Sequence, residues 1–548
     1  LDTDDAMRLV QLRDWLAGGG WFGLHQPRLQ PPVGYDSHWS RLVDAGLAGV
    51  LLLLAPFTDA SFAERLLRAI WPVLWLLPTI AGMAAIAWRL GGRLAATIAL
   101  LFAVLAVPGY QQFTPGRIDH HNVQIALTLL VAAATVWSDR RGWCAYAAGA
   151  LSGLALAIGF ESLPYVAACG AAFALRYAAD EKAAAALRGY AAALAAATLL
   201  AFFANVGPAH WSRTLCDAIA INSVLAILVG AGVLAFAGAL PDRRAYRLGL
   251  IALAAAAAVA VMLAVEPRCI GGPYAMVDPA IWPVWLAEVR ENQPLWRVLH
   301  VNPLTGVAIA AFPAAALAAA ALLLRDFTLR RDFGFLTAAV LLAVAALTTV
   351  GVIRAYSYAV WLGMPLVAVA ALRLSAALQL RRWPARAALG LFLTPLALSS
   401  GAITLADATG FEDKDDFSRP ERRACLQSAN YAAMAKLPPG VVAADVSFGP
   451  FVLALTPHAV LAAPYHRLSA GILWAHAALA STPERARAAL ERAGASYVLV
   501  CGSRPPDGIA GADLPHSLWT QLRAGAVPDW LQPVSDPGHP LAVYRIKG

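Results

Sequence analysis

The chain has 548 residues, of which 59% are hydrophobic and 14% are charged, and its formal net charge at pH 7 is +8. Over the whole chain this composition is typical of a polytopic membrane protein rather than of a soluble protein. A surplus of positive charge can indicate nucleic-acid binding. Here the basic residues follow the two sides of a membrane instead, so we predict no nucleic-acid partner.

Residues 1–66 are predicted to form a first external loop with interfacial helices. They include a short apolar run, Ala45–Pro56, which has fewer residues than the roughly 20 that a spanning helix needs. The chain begins at Leu1 with polar residues, and we expect a transmembrane helix to precede this loop.

Residues 67–402 are predicted to form a membrane domain of twelve spanning helices. The apolar segments are about 67–88, 94–110, 121–137, 143–158, 163–178, 189–206, 217–240, 246–265, 303–324, 333–350, 356–373 and 386–402. Lys and Arg concentrate in alternate loops, for example at Arg140 and Arg141, and the positive-inside rule makes those loops cytoplasmic. The first loop, the loop around Asp119 and the loop 266–302 then lie on the periplasmic side of a bacterial inner membrane.

Residues 403–548 have the pattern of a soluble periplasmic α/β domain. Charges and prolines appear in Phe411–Arg423, and short strand-like runs such as Ser496–Cys501 alternate with helical stretches such as Pro483–Ala493. A segment of roughly 145 residues is large enough to bury its own core.

The six cysteines are too few for a disulfide-rich scaffold, so the compartment of each one matters. Cys216 and Cys269 fall in outer loops, and Cys425 and Cys501 fall in the outer soluble domain. Each pair can form a disulfide in an oxidising periplasm. The other two cysteines lie within spans and are predicted to remain free thiols.

The stretch TPGRIDHHNVQ places Asp119, His120 and His121 between two apolar segments, where ionisable groups need a partner, a metal or water. These side chains are ligand types for a divalent cation, although a polar loop facing water is the alternative. Further polar clusters are predicted on the same side: Asp2, Asp4, Asp5, Arg8, Glu288, Arg290, Glu291 and Arg354. Converging carboxylates and one His would suit Mg²⁺ or Mn²⁺, and a nearby Arg could bind a phosphate oxygen.

Five motifs, in this order, resemble the catalytic subunit of the oligosaccharyltransferases, which are membrane glycosyltransferases of the GT-C fold. The motifs are LDTDDAMRLVQL, HWSRLVD, GRIDHHNVQ, EVRENQP and the loop around Arg354. The resemblance runs from residue 1 to about residue 402, with weaker traces in the C-terminal domain. It implies about thirteen transmembrane helices, the first of them missing here, and an active site on the outer face.

The resemblance also implies catalytic and metal-binding residues. Asp2, with Asp5 as the fallback, and Glu291 correspond to the family's catalytic carboxylates. Asp2, Asp119, His121 and Glu291 would share a divalent metal, Mn²⁺ or Mg²⁺. His120 is interpreted as a neighbour of these ligands.

Other residues are candidates for binding the donor and the acceptor. Arg354 corresponds to the family's arginine that contacts the phosphate of the lipid-linked donor, and Arg117 is a second candidate for that contact. Tyr465, His466 and Arg467, in the stretch AAPYHR, are candidates on the acceptor side. The alternative for this stretch is a strand end with a satisfied His.

The sequence departs from the family at the WWDYG-type motif, which reads the hydroxyl of an Asn-x-Ser/Thr acceptor. The matching stretch here, Asp445–Gly449, is DVSFG and lacks the Trp pair and the Asp that follows it. We therefore predict a metal-dependent glycosyltransferase that moves a sugar or oligosaccharide from a polyprenyl-phosphate or diphosphate donor to a lipid, glycan or protein acceptor other than a sequon. The alternatives are a transporter or flippase of lipid-linked sugar, a true protein N-oligosaccharyltransferase and a non-catalytic assembly protein.

Overall fold

The computed structural model describes residues 2–414, 424–501 and 514–547. Its contacts divide the chain into two compact units. The membrane unit consists of Trp39–Met276 and Glu291–Lys414, and it holds the long apolar helices. The sheet unit combines residues 2–38 and 277–290 with the C-terminal segment. Most of the predicted charged stretch 411–423 lies outside the described residues.

The described helices are numbered in chain order. They are α1 (Thr3–Leu16), α2 (Arg41–Leu54), α3 (Ala60–Val104), α4 (His121–Trp137), α5 (Trp143–Ile158), α6 (Leu163–Ala179), α7 (Ala184–Asn205), α8 (Ile221–Leu234), α9 (Arg244–Val265), α10 (Ile281–Val284), α11 (Leu295–Val301), α12 (Pro303–Leu323), α13 (Phe333–Gly351), α14 (Tyr356–Ala377), α15 (Trp383–Phe392), α16 (Pro395–Ala408), α17 (Gly449–Leu455), α18 (Ser469–Ala480), α19 (Pro483–Arg492) and α20 (Leu518–Arg523). The strands are β1 (His25–Gln26), β2 (Tyr35–Asp36), β3 (Val441–Ala444), β4 (Ala459–Val460), β5 (Tyr497–Cys501), β6 (Leu531–Pro533) and β7 (Leu541–Ile546).

The predicted membrane segments all overlap helices of the membrane unit. Among the described residues, six helices are long and apolar enough to cross a membrane, or seven if the bent pair α15 and α16 is one broken span. Helices α4, α5 and α8 are apolar but shorter. The prediction of a multi-pass helical membrane protein with a C-terminal α/β domain is confirmed.

Several predicted spans have different ends in the structure, and two of them change at a proline. The segment 94–110 is helical only as far as Val104, and a 3-10 turn containing Pro108 follows. The segment 386–402 is divided by a bend of 63° between α15 and α16, where Pro395 begins the second helix. Proline has no N–H for a helix interior but suits a first helical turn, which accounts for both changes.

Helix α14 forms the centre of the membrane unit. Its residues 357–369 are all buried, and the indole Nε1 of Trp361 donates to the carbonyl of Gly109 at 3.2 Å. An apolar helix that is buried on every side is a core helix, so its position is set by packing. Because α14 begins directly after Arg354, this packing also determines where Arg354 lies.

A buried ion cluster lies at the end of the membrane unit that the sequence assigns to the cytoplasm. Arg89 Nη2 contacts Asp139 Oδ2 at 2.6 Å and Asp332 Oδ2 at 2.9 Å. The Arg89 side chain is almost fully buried, and breaking a buried ion pair typically costs about 3–5 kcal/mol. The loops of Arg89, Asp139 and Asp332 meet here, and the alternation of basic loops predicts that all three lie on the same side of the membrane.

The sheet unit contains a five-stranded mixed sheet with the order β4-β3-β5-β7-β6. Strand β3 is parallel to β4 and β5, whereas β7 is antiparallel to β5 and β6. Leu479, Leu490 and Trp519 belong to its buried core. The N-terminal segment lies along the edge of the sheet, where the Gln30 N–H donates to the Val460 carbonyl at 2.8 Å. Residues 2–38 therefore complete this unit, whereas the sequence grouped them with residues 39–66.

Both predicted disulfides are present. Cys216–Cys269 lies in the membrane unit and Cys425–Cys501 in the sheet unit. The remaining two cysteines are free and buried, as predicted. The bond between Cys216 and Cys269 encloses α8 and α9, so this helix pair returns the chain to the side from which it started.

We expect mass spectrometry of the non-reduced protein to find the linked peptides Cys216–Cys269 and Cys425–Cys501, with only two cysteines open to alkylation after denaturation. The first bond closes a loop of 53 residues, so Cys216→Ser should lower the free energy of unfolding by about 2–4 kcal/mol. Cys144→Ser, which changes a free thiol, is the control. Four alkylatable cysteines outside the spans would contradict this pairing.

Candidate active site

Three helix ends of the membrane unit bring charged side chains together. Asp119 and His120 precede α4, and His121 is its first residue. Glu161 lies in the short turn between α5 and α6, and Arg354 lies directly before α14. The alternation of loops predicts the same outer face for all of these positions.

The Asp119 carboxylate is buried between two imidazoles. Its Oδ1 lies 2.5 Å from Nδ1 of His120, and its Oδ2 lies 3.2 Å from Nε2 of His121. Asp119 is only 1% exposed, so its charge depends on these neighbours or on a cation. Burial lowers the pKa of His120, and the charge of Asp119 opposes this shift only in part. His120 is therefore neutral at neutral pH, the form in which imidazole binds metals.

Glu161 joins this cluster to Arg354. Its Oε2 lies 3.1 Å from Nδ1 of His121, and its Oε1 lies 2.9 Å from Nη2 of Arg354. Burial by itself raises the pKa of Glu161, but the positive charges of Arg354 and His121 outweigh this effect and hold the pKa well below its usual value. Glu161 is therefore ionised at neutral pH and acts only as a hydrogen-bond acceptor.

Arg354 has a second carboxylate partner on the long outer loop. Its Nη1 donates to Oε1 of Glu291 at 3.0 Å. The Glu291 side chain is 42% exposed, compared with 25% for Glu161. The Ile353 N–H donates to the Gln293 carbonyl at 3.0 Å, which fastens the loop of Glu291 to the loop of Arg354. The structure thus places Glu291 directly on Arg354, and contact of Arg354 with a donor phosphate stays a prediction.

Arg117 lies within the electrostatic reach of this cluster. Its Nε and Nη2 both donate to Gln112 Oε1, at 3.1 and 2.6 Å. Burial lowers the pKa of Arg117, and the charges of Asp119 and Glu291 oppose that shift. A role in binding phosphate stays a prediction for this residue.

The residues before and at the start of α4 fit a divalent cation. One ligand atom from each of Asp119, His120 and His121 lies within 4.8 Å of the others. Two ligands at right angles on a metal with bonds of about 2.1 Å lie about 3 Å apart, close to the 3.2 Å between Asp119 Oδ2 and His121 Nε2. The other nitrogen of His121 faces a carboxylate, as is common for metal-binding histidines. His120, which we predicted to be a neighbour of the metal ligands, also has a ring nitrogen close enough to bind the same cation.

Asp2 and Asp5 lie in the sheet unit, at the start of α1. Asp2 Oδ1 accepts from the N–H groups of Asp4 and Asp5, each at 3.1 Å, and Asp5 Oδ2 accepts from the Asp2 N–H at 3.1 Å. This capping box stabilises the first turn of a helix. A catalytic or metal-binding role for either residue stays a prediction.

The acceptor-side candidates also lie in the sheet unit. Tyr465 is buried, and its hydroxyl donates to the Thr3 carbonyl at 3.1 Å. The ring of His466 lies 4.7 Å from that of His38, and Arg467 Nη1 donates to a backbone carbonyl of the same N-terminal segment at 3.3 Å. The strand predicted here ends at Val460, so these residues belong to a turn. Their role toward an acceptor stays a prediction.

Glu161 is not among the site residues predicted from the sequence. It is the one ionisable residue between the predicted spans 143–158 and 163–178, in a turn of four residues. An isolated acidic residue so close to hydrocarbon on the outer side was a signal for a buried partner.

Structures of an archaeal enzyme share this fold. The oligosaccharyltransferase AglB from Archaeoglobus fulgidus, in complex with an inhibitory peptide and a dolichol-phosphate, matches 90% of this chain with a TM-score of 0.63 and 14% identity. The apo form of the A. fulgidus oligosaccharyltransferase matches 91% with a TM-score of 0.64 and 15% identity. Its complex with Zn and sulfate matches 91% with a TM-score of 0.57 and 14% identity. This chain spans 64–66% of the length of those structures.

No family model and no curated protein matches the sequence. At identities of 14–15%, the similarity establishes the architecture and leaves the chemistry to the site itself. The resemblance in the sequence motifs and the similarity in structure agree with each other. The protein therefore has the fold of the A. fulgidus oligosaccharyltransferase, which is the GT-C fold that the sequence motifs imply.

Proposed function

We propose that the protein is a metal-dependent glycosyltransferase that moves a sugar or oligosaccharide from a polyprenyl-phosphate or diphosphate donor to an acceptor. The observation that carries this proposal is the unbroken series of contacts from Asp119 through His121, Glu161 and Arg354 to Glu291. This series connects side chains that can bind a metal with the guanidinium of Arg354, at one end of the membrane unit. That combination suits a phosphate leaving group.

We assign one group of these residues to the cation and another to the substrate. Asp119 and His121 would hold the divalent cation, with His120 as a further candidate from the structure and Asp2 and Glu291 as those that the resemblance implies. A bound cation supplies charge neutralisation for the departing phosphate. Because the proposed ligands include both carboxylates and an imidazole, the site suits either Mn²⁺ or Mg²⁺.

The transfer itself needs a nucleophile, a base and a stabilised leaving group. An acceptor atom bonds to the anomeric carbon of the donor sugar, the bond from that carbon to the phosphate oxygen breaks, and the acceptor proton passes to a carboxylate. Glu291 and Asp2 are the candidate bases, and Glu291 is exposed enough to meet an acceptor. Arg354 binds and stabilises the released polyprenyl phosphate or diphosphate through its N–H groups.

Ligands of the similar structures support this assignment. One A. fulgidus complex contains a dolichol-phosphate and another contains Zn and sulfate. A lipid phosphate, a divalent metal and a tetrahedral anion are the ligand chemistries proposed here.

We also propose that the site and the sheet unit face the periplasm of a bacterial inner membrane. Two disulfides are consistent with an oxidising compartment.

We further propose that the acceptor is not an Asn-x-Ser/Thr sequon. Asp445 Oδ1 accepts from the Ser447 N–H at 2.9 Å, and the Val446 and Phe448 side chains are buried. The stretch forms a turn before α17, in which its carboxylate caps the backbone. A site that selects a hydroxyl must offer it polar groups that are left unpaired when the hydroxyl is absent. A glycan or lipid hydroxyl, presented beside Glu291, is the acceptor that we propose.

The metal site can be tested by titrating the purified protein with Mn²⁺ and measuring the free ion by electron paramagnetic resonance. The Asp119→Asn/His121→Ala double variant removes two ligand atoms. Its affinity for Mn²⁺ should fall by more than about 10- to 100-fold, because that is the typical loss when a residue that only supports a ligand is removed. His210→Ala, at an exposed histidine of the same unit, should bind as the unaltered protein does. Unchanged Mn²⁺ affinity in the double variant would refute the site.

The reaction can be tested with a lipid-linked donor pool, Mn²⁺ and two kinds of acceptor. One tube contains a fluorescent sequon peptide, and the other contains a membrane-lipid and polysaccharide extract. We expect transfer in the second tube only, abolished by EDTA and reduced at least about tenfold by Arg354→Ala, which removes charge-assisted hydrogen bonds to the leaving phosphate. Labelling of the peptide that is lost on Thr→Ala in its sequon would identify a protein N-oligosaccharyltransferase. Donor movement across vesicles without any transfer would identify a flippase.

A further inference from the structure

The two oxygens of the Glu161 carboxylate have different partners. Oε2 accepts from His121 Nδ1 at 3.1 Å, and Oε1 accepts from Arg354 Nη2 at 2.9 Å. We propose that Glu161 is a positioning residue that links the cation-binding part of the site to its phosphate-binding part. This inference rests on the function proposed above, because it concerns the ligands that His121 and Arg354 would bind.

On the cation side, Glu161 determines which nitrogen of His121 is available. An ionised carboxylate can only accept, so Nδ1 must carry the proton. Nε2 then faces Asp119 Oδ2, 3.2 Å away, and a cation between these two atoms would take the Nε2 lone pair in place of a proton. A carboxylate behind a ligand histidine holds the ring in place and raises its basicity, and its loss typically weakens metal binding about 10- to 100-fold.

On the phosphate side, Glu161 is the better buried of the two carboxylates on Arg354. Glu291 belongs to a long loop and is 42% exposed, whereas the Glu161 side chain is 25% exposed. When a phosphate or an acceptor draws Glu291 away, Glu161 still neutralises Arg354 and keeps its guanidinium oriented. An oriented fork of N–H groups loses less freedom when it binds a phosphate.

The turn that carries Glu161 is packed firmly enough for this task. A Cβ on Gly159 would press against the side-chain amide of Gln124, so a larger residue here would have to displace that side chain for the turn to approach α4 as closely. The Ser162 hydroxyl donates to the Gly159 carbonyl at 3.1 Å and closes the turn. Glu161 is thereby held between α4, which carries His121, and the start of α14.

The experiment measures two affinities in the full-length protein, and neither depends on turnover. The probes are Mn²⁺ alone, followed by electron paramagnetic resonance, and farnesyl phosphate, followed by calorimetry. His121→Ala should weaken only the binding of Mn²⁺, and Arg354→Ala should weaken only the binding of farnesyl phosphate. Glu161→Gln should weaken both, Mn²⁺ by about 10- to 100-fold and farnesyl phosphate by about tenfold.

Asp139→Asn is the matched control. It also removes a carboxylate from a largely buried arginine, at 2.6 Å from Arg89, but at the opposite end of α4. That helix has 17 residues, so its ends are about 25 Å apart. Asp139→Asn should lower the melting temperature and leave both affinities unchanged. Glu161→Asp keeps the charge on a shorter side chain, so it should fold and give intermediate losses in both affinities.

The outcomes separate this inference from the proposed function. If Glu161→Gln and Glu161→Asp lower the melting temperature as Asp139→Asn does but leave either affinity unchanged, Glu161 does not link the two parts. If Glu161→Gln does not fold, Glu161→Asp alone decides the matter by the same criterion. If His121→Ala and Arg354→Ala themselves change neither affinity, the proposed site fails, whatever the Glu161 variants show.

Discussion

The outer site depends on the ion pair between Arg354 and Glu161. Both side chains are at least three quarters buried, and a buried charge without a partner is costly. Removing either partner would leave the other charge with only one of its two contacts, Arg354 with Glu291 or Glu161 with His121. Because Glu161 also contacts His121, and Arg354 also contacts Glu291, the pair makes one network out of three helix ends and a loop. Such networks are worth more than isolated pairs when every member is satisfied.

Two charged clusters of the membrane unit lie at opposite ends of α4. The cluster around Glu161 lies at the start of α4, and the cluster around Arg89 lies beyond its other end. Between them, helix α14 is buried by apolar neighbours over its first half. A hydrocarbon layer tolerates this arrangement because charged groups remain near its surfaces. It also favours an enzyme over a carrier, since a transporter would place its polar residues near the bilayer midplane.

Three polar residues of the sheet unit make hydrogen bonds that stabilise that unit itself. Asp2 caps α1, Asp445 caps the turn before α17, and Tyr465 holds the Thr3 carbonyl. These contacts do not conflict with a catalytic role for Asp2, because a capping carboxylate at the surface retains acceptor capacity. They do explain why a turn with the sequence DVSFG can replace a tryptophan-rich motif without loss of the fold. Acceptor choice is thus where this chain and the oligosaccharyltransferases are expected to differ most.

Local patterns determined the class of the protein and the outline of its site. Apolar runs identified helical segments, and alternating basic loops predicted that Asp119, His121, Glu291 and Arg354 lie on one side. The predicted location of each cysteine, in outer loops or in the C-terminal domain, gave both disulfides. These properties are readable because hydropathy and sidedness depend on a few neighbouring residues. The predicted positions of the helix ends were less accurate, because proline and glycine shift the ends by a few residues.

Only the tertiary structure decided which polar groups touch. The contact of Glu161 with His121 joins residues 40 positions apart, and that of Glu291 with Arg354 joins residues 63 apart. The placement of residues 2–38 in the sheet unit likewise follows from pairing between distant segments such as Gln30 and Val460. Such contacts result from how whole helices and strands pack, and a local pattern contains no information about which turns packing brings together. For that reason Glu161, a single acidic residue in a four-residue turn, acquires its importance only in the folded protein.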